Sequence, residues 1–321
     1  MKIKKVVVCG GGVLGSQIAF LSRYWGFDTT ICLRSESSIG RTKPKIVRVK
    51  ENYIKTIEEM NATHKASALA RGIADSYESF DYEESLQKVE DTFDNLKIEL
   101  DLEKALEDAD IVIESVSEDL DAKIEFYKKM APFLPEKTIL CTNSSSLLPS
   151  SFMEYTGRPE KFLALHFAND IHKHNTAEVM MTSKTDPEVF DTVVQFARDI
   201  HMIPLQLRKE QPGYLLNSML IPFLFAGFDL YVKEISTPED IDLAWKLGTG
   251  SPKGPFEIFD IVGLKTAHEI VKALDAKFGD KAPYDYKKQK EMLAQKIDEG
   301  KIGVLAGEGF YKYDESGNKI S

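Results

Sequence analysis

A chain of 321 residues, 43% apolar and 29% charged, is long enough to bury a large core and to divide into two domains, and its composition is not that of a disordered segment. Its formal net charge of -10 excludes nucleic acid as a general partner, while leaving room for a local basic pocket that takes one phosphate-bearing cofactor. The three cysteines, Cys9, Cys32 and Cys141, are odd in number and widely spaced, which argues against a disulfide framework or a zinc site; each sits in an apolar strand-like run and reads as a small core residue.

The first five residues lead at once into a strand over residues 3–9, whose Val6-Val7-Val8-Cys9 run is continuously apolar, the pattern of a strand buried on both faces. No apolar signal segment with a cleavage site is expected from these residues. The longest apolar stretch, 219–228, contains Pro222 and is too short to span a bilayer, so the expectation is a cytoplasmic protein that does not enter the membrane. A helix over 15–25 and a strand over 29–33 follow. Residues 44–95 read as a long charged helical arm, with Lys45, Arg48, Lys50 and Lys55 in its first part. Strands are expected at 98–102, 111–116 and 138–142, with a helix at 120–130, and then strands at 162–167, 179–182 and 203–207. This alternation predicts an α/β fold with a Rossmann-type doubly wound, mainly parallel sheet. After Gln211-Pro212-Gly213 the pattern changes to successive helices, broken at Pro238, Pro252 and Gly263. Thr237-Pro238-Glu239-Asp240 has the N-cap, first-turn proline and acids of a helix start. The chain thus divides into a dinucleotide-binding domain over 1–209, carrying the arm, and an all-helical domain over 210–321.

Gly10-Gly11-Gly12-Val13-Leu14-Gly15 fits G-x-G-x-x-G directly after a strand and at the opening of a helix, the context that gives the motif its meaning. Gly10 permits the turn, Gly12 lets the backbone approach a pyrophosphate, and Gly15 lets the helix pack closely on the sheet. Gly10, Gly12, Val13, Leu14 and Gly15 are therefore candidate cofactor-binding residues. The second strand ends not in the acid that would accept from a ribose 2′-hydroxyl, but in Leu33-Arg34-Ser35. Arg34 can pair with a 2′-phosphate and Ser35 can donate to it, which favours NADP; alternatively Arg34 stacks on the adenine or is solvated, with NAD held by backbone.

His166 ends one apolar run and Glu178 opens the next, a separation that suits a strand, a turn and a return. An imidazole held by a carboxylate is a suitable acid–base group for alcohol oxidation. On spacing alone such a pair is more often structural than catalytic. Asn143-Ser144-Ser145-Ser146 follows a strand at the expected ligand-binding edge of the sheet, and reads either as a substrate-oxygen site or as a serine-rich turn ahead of Pro149.

These residues resemble the L-3-hydroxyacyl-CoA dehydrogenase family, and more narrowly its diketoreductase-like branch. The matching runs are Gly10-Gly11-Gly12-Val13-Leu14-Gly15-Ser16-Gln17-Ile18-Ala19, Asn143-Ser144-Ser145-Ser146-Leu147, Leu165-His166-Phe167-Ala168-Asn169 and Thr176-Ala177-Glu178-Val179. Pro212-Gly213-Tyr214-Leu215-Leu216-Asn217, Gly248-Thr249-Gly250-Ser251-Pro252-Lys253-Gly254-Pro255-Phe256-Glu257 and Gly307-Glu308-Gly309-Phe310-Tyr311 extend them nearly end to end. The resemblance implies an NAD(P)-dependent oxidoreductase that interconverts a 3-hydroxyacyl group and its 3-keto form. It implies His166 as the catalytic base, Glu178 as its carboxylate partner, and Ser145 and Asn217 as hydrogen-bond donors to the substrate oxygen. It places Glu118, Lys123 and Asn143 near the cofactor, gives the helical domain the role of dimerisation unit, and sets the active site between the domains.

Two departures stand out. Leu33 replaces the family's acid, so the family points to NAD while Leu33-Arg34-Ser35 favours NADP. Asp170-Ile171-His172-Lys173-His174-Asn175 replaces a proline and an apolar segment, and either recognises a polar substrate head or faces water. His172 and His174 alternate, but no supporting cluster accompanies them, and a metal site is rejected. The basic stretch 43–55 either contacts a CoA nucleotide or is a solvated helix face. Two other readings compete: a 3-hydroxy-acid dehydrogenase that uses a catalytic lysine, against which the Asn-Ser-Ser and His–Glu matches speak, and a non-enzymatic, crystallin-like structural protein.

Overall fold

The computed structural model describes residues 2–315 and 317–320; Met1, the start of the expected lead into the first strand, lies outside them. The chain falls into two compact units, Met1–Leu215 and Leu216–Ser321, and the family-typical motifs fall in both.

The first unit holds β1 (Lys5–Cys9), α1 (Val13–Tyr24), β2 (Asp28–Cys32), α2 (Glu36–Thr63), α3 (Tyr82–Asn95), β3 (Lys97–Glu99) and α4 (Leu102–Leu106). These are followed by β4 (Ile111–Glu114), α5 (Leu120–Met130), β5 (Ile139–Thr142), β6 (Phe162–Phe167), β7 (Thr176–Met181), α6 (Pro187–Asp199) and β8 (Ile203–Leu207). The strands form one sheet in the order β3-β2-β1-β4-β5-β6-β7-β8. Every neighbouring pair is parallel except β6 and β7. Strand order reverses direction between β1 and β4, the point at which doubly wound sheets open their ligand crevice.

The continuous apolar runs have a direct cause. Val6, Val8, Ile31, Ile111 and Ile113 feed a core on one face, shared with α1, α2, α3 and α6. Val7, Cys9, Cys32, Val112 and Leu140 feed a second core on the other, shared with α4 and α5. With both faces covered, no polar alternation survives in the central strands.

The arm differs from the expected single stretch. α2 starts at Glu36, eight residues before the expected boundary of 44, because Ser35 is extended and takes the N-cap position. Ile46, Val49, Tyr53, Ile57 and Met60 form its buried stripe at helical spacing. It ends at His64 in the left-handed region, and a short 3-10 turn (Ala66–Ala68) followed by irregular chain separates it from α3. The strand expected over 98–102 is also shorter. The Glu99 carboxylate accepts from the Leu100 and Asp101 amides, and Asp101 caps α4 through the Lys104 amide, so the chain has turned to helix by Leu102.

The second unit is helical: α7 (Leu216–Val232), α8 (Pro238–Thr249), α9 (Pro255–Val262), α10 (Leu264–Phe278) and α11 (Tyr286–Asp298). Pro222 lies inside α7, whereas Thr237 caps α8 as its sequence suggests. Leu224, Phe225, Phe228, Phe256 and Phe259 centre the core. The two family-typical runs here do structural work: Asp242 accepts from the Phe256 and Glu257 amides and the Tyr311 hydroxyl, and Asp260 accepts from the Phe310 and Tyr311 amides.

Candidate active site

β1 ends at Cys9 and the chain turns at Gly10, whose φ of +118° suits glycine alone; a Cβ there would lie 2.3 Å from the Ser115 carbonyl oxygen. At Gly11 a Cβ would lie 2.1 Å from the Thr42 hydroxyl, and that hydroxyl donates to the Gly11 carbonyl at 3.1 Å. α2 is thereby clasped to the turn. Gly12 is the N-cap of α1 with open space around it and no acidic residue in the following turn, so the unpaired amides of the helix start face a cradle suited to an anion. Beside the turn lies a cavity of about 450 Å³, lined by the three glycines and by Leu33, Arg34, Ser38, Arg41 and Lys129 among others. These features fit the pyrophosphate and adenosine of a nicotinamide dinucleotide.

The carboxyl ends of β2, β1, β4, β5 and β6 stand in one row. At about 4.8 Å per strand, four spacings reach roughly 19 Å, the scale of an extended dinucleotide. Along this row Glu114 closes β4 with its side chain fully buried. It accepts from Lys123 Nζ at 2.6 Å, the Tyr127 hydroxyl at 2.7 Å and the Thr142 hydroxyl at 2.8 Å. Lys123, 1% exposed, also lies 3.4 Å from Glu118. Glu118 Oε1 accepts from the Ser144 hydroxyl at 2.6 Å, the Ser145 amide at 2.9 Å and the Ser146 amide at 2.7 Å. Burial pushes the Glu118 carboxyl up, but the Ser144 and Ser146 hydrogen bonds and the Lys123 charge outweigh it and hold its pKa down at about 2. The Ser144–Ser146 turn is thus folded around one carboxylate oxygen.

His166 lies on β6 and Glu178 on β7, directly opposite in the antiparallel register. His166 Nδ1 is 3.0 Å from Glu178 Oε2, and Nε2 is 3.2 Å from the Ser145 hydroxyl. A carboxylate only accepts, so the imidazole proton sits on Nδ1 and Nε2 presents its lone pair toward Ser145. The ring stacks on Tyr214 at 4.4 Å, whose hydroxyl donates to the Ser144 carbonyl at 2.7 Å. Glu178 Oε1 accepts from the Leu215 amide at 2.8 Å. The His166 side chain is 11% exposed, fixed on both flanks, and placed to move one proton at Nε2.

Two family models match the chain along nearly its whole length. The NAD binding domain of 3-hydroxyacyl-CoA dehydrogenase matches residues 5–211, and that enzyme's C-terminal domain matches residues 213–313. The chain belongs to the 3-hydroxyacyl-CoA dehydrogenase family. It is 31% identical to the human mitochondrial hydroxyacyl-coenzyme A dehydrogenase over 97% of this chain and 91% of that one. It is 29% identical to the 3-hydroxybutyryl-CoA dehydrogenase of Clostridioides difficile over 97% and 100%. A solved diketoreductase, described as acting on dicarbonyl compounds, superposes with a TM-score of 0.80 at 43% identity, covering 98% of this chain and all of that one. As a member of the family this chain is an oxidoreductase of hydroxyl and keto groups that uses NAD(P).

Within this 3-hydroxyacyl-CoA dehydrogenase scaffold, His166, Glu178 and Ser145 come together as one cluster. Gly10, Gly12 and Arg34 line the cavity; Val13 and Leu14 open α1, and Gly15 packs against the Gly10 carbonyl. Ser35, rather than pointing to the cavity as a separate donor, bonds to the Ser37 and Ser38 hydroxyls. Glu118 and Lys123 gather around Glu114 and the serine turn, and Asn143 Oδ1 accepts from the Phe167 amide at 3.0 Å, tying β5 to β6. Asn217 is the second residue of α7, in the helical unit. Of the polar segment 170–175, Ile171 and His172 are buried rather than turned to substrate or water. His172 Nε2 lies 3.2 Å from the Thr56 hydroxyl and its ring stacks on Tyr53; burial lowers its pKa to about 4. Lys173 and His174 are exposed. Glu114, Tyr214, Arg41 and Thr42 escaped the sequence reading. An acid closing an apolar strand was the available signal for Glu114. Tyr214 lies in a matched run without a role of its own, and nothing local marked Arg41 or Thr42.

Proposed function

We propose that the chain interconverts a 3-hydroxyacyl group, carried as a CoA thioester, free acid or ester, and its 3-keto form, with His166 as acid–base and NAD or NADP as redox partner. When bound, the nicotinamide ring supplies the hydride acceptor or donor. In the oxidising direction His166 Nε2 takes the hydroxyl proton, and in the reducing direction it returns it. Glu178 keeps the Nδ1 proton in place and stabilises the imidazolium that forms. Ser145 and, by family resemblance, Asn217 hold the reacting oxygen. The observation that carries this reading is the 3.0 Å contact of His166 with Glu178, made while Nε2 stays turned to Ser145. His166→Ala is expected to lower turnover by about 10²- to 10⁴-fold with little change in cofactor affinity; unchanged turnover on acetoacetyl-CoA, a free 3-keto acid and a diketo ester alike would remove the assignment.

Leu33 in place of an acid after β2, with Arg34 lining the cavity beside it, favours NADP over NAD. A homodimer through the helical unit is supported by exposed apolar side chains on α7 and α8, including Met219, Leu230, Leu243, Trp245 and Leu247; a monomer in sedimentation would refute it. No helix among the described residues is long and apolar enough to cross a membrane. Three free, buried cysteines suit a reducing compartment such as the cytoplasm, and a fractionation that finds the protein elsewhere would overturn that placement.

A further inference from the structure

We propose that the first turns of α2 form a seat for the 2′-phosphate of a 2′-phosphorylated adenosine, with Arg41 and Ser38 as its selective residues and Arg34 and Lys45 beside them. The inference rests on the nicotinamide-dinucleotide reading of the cavity and deepens it.

Four cations, Arg34, Arg41, Lys45 and Lys129, line the cavity, and no Asp or Glu does. In a chain of net charge -10 this is a strong local reversal. Among the described residues none of the four is engaged in an ion pair. The pyrophosphate of a dinucleotide is already served by the open Gly12 cradle and the start of α1, so the extra positive charge at the β2 end calls for a further anionic group.

The acid that would select an unphosphorylated ribose does not stand directly after β2. Leu33 follows β2. On the neighbouring strand, Glu99 is in register with Cys32, and one oxygen of its carboxylate accepts from both the Leu100 and Asp101 amides.

What stands there instead is a hydroxyl and guanidinium group. Arg41 donates to the Ser38 hydroxyl at 3.1 Å and the Ser37 hydroxyl at 3.4 Å. Ser35 and Ser38 hydroxyls lie 3.0 Å apart. Lys45 holds the Arg41 carbonyl at 2.5 Å, one helical turn on. A guanidinium has five donors in a fixed fork, so after two hydroxyl contacts it keeps donors for phosphate oxygens, and the hydroxyls can rotate to donate as well. Thr42 binds the Gly11 carbonyl and fixes this turn of α2 beside the glycine turn. Arg34 alone could stack or solvate; Arg41 and Ser38, anchored on a helix, are what make the site specific.

The test is calorimetric titration of the full-length protein with AMP, adenosine 2′,5′-bisphosphate and adenosine 3′,5′-bisphosphate, at low and moderate salt. The 2′,5′-bisphosphate should bind at least about tenfold tighter than AMP, as one or two charge-assisted contacts require, and the difference should shrink as salt rises. Arg41→Ala and Ser38→Ala should each cut that preference, Arg41→Ala to about twofold or less, with Arg41→Lys recovering only part because a point charge lacks the fork. Equal binding of AMP and the 2′,5′-bisphosphate overturns the proposal, as does tighter binding of the 3′,5′-bisphosphate, which would mark a CoA-nucleotide site. Parallel turnover with NADH and NADPH separates the two levels: His166-dependent turnover with NADH alone sinks the seat and leaves the enzyme reading standing. A 2′-phosphate preference with no turnover on either cofactor sinks the enzyme reading and leaves the seat.

Discussion

Replacing Glu178 by glutamine changes one oxygen to an amide and leaves the volume almost untouched, yet it should abolish most activity. The Leu215 amide donates to Glu178 Oε1 at 2.8 Å and so selects which way the new carboxamide faces: its oxygen stays on Leu215 and its NH₂ group turns to His166. Nδ1, 3.0 Å away, must then accept, and the imidazole proton moves to Nε2. The lone pair that takes the substrate proton is lost. The charge effect adds to this. A carboxylate about 4 Å from an imidazolium stabilises it by about 4 kcal/mol at an effective dielectric of 20, which alone corresponds to about 10³-fold in rate. The wrong tautomer brings the total to about 10³- to 10⁴-fold, the size seen when the carboxylate orienting a catalytic histidine is made an amide. Initial rates of 3-keto reduction should show this loss while cofactor affinity, read by fluorescence titration, shifts little. Retention of more than about a tenth of wild-type turnover in Glu178→Gln would refute both the tautomer argument and the role of His166.

Three further perturbations test other parts of the molecule. Leu33→Asp places an acid at the end of β2, where it would accept from a ribose 2′-hydroxyl and repel a 2′-phosphate, and should swing the ratio of NADPH to NADH affinity toward NADH by about 10- to 100-fold; an unmoved ratio would show that this strand end does not meet the ribose. Lys123→Met strips the buried Glu114 of its cation at 2.6 Å and should lower unfolding stability by about 3–5 kcal/mol in urea titrations, with much of the loss recovered by adding Glu114→Gln; a single mutant of wild-type stability would contradict the buried-pair argument. His172 is held neutral, its pKa lowered by burial from 6.5 to about 4. Between those values the unfolded chain binds more protons than the folded one, so stability should rise with pH from about 4 to 6.5 and then level. The group contributes about 3 kcal/mol across that window. His172→Gln should flatten this part of the urea-midpoint profile, and an unchanged slope would assign the dependence to other groups.

The sequence by itself determined the layered fold, because strands covered on both faces leave continuous apolar runs and the glycine turn leaves its spacing. It also determined that His166 and Glu178 could meet, since two strands joined by a short return bring their facing residues into register. The limits of the helical arm were less legible. An extended serine and an N-cap decide where α2 begins, and the cost of turning at Leu100 through a carboxylate–amide contact decides where β3 stops; both are matters of local hydrogen bonding that periodicity does not encode. Tertiary structure alone decided what lies around the site. Glu114, Glu118 and Lys123 join Thr142 and the Ser144–Ser146 turn only because two segments distant in sequence converge at the strand ends. Tyr214 supports His166 from far along the chain, and His172 left the substrate question when Tyr53 and Thr56 enclosed it. Arg41 and Ser38 became neighbours of the glycine turn for the same reason: a side chain's partner across the fold depends on how helices pack on the sheet, and no short window of sequence carries that distance.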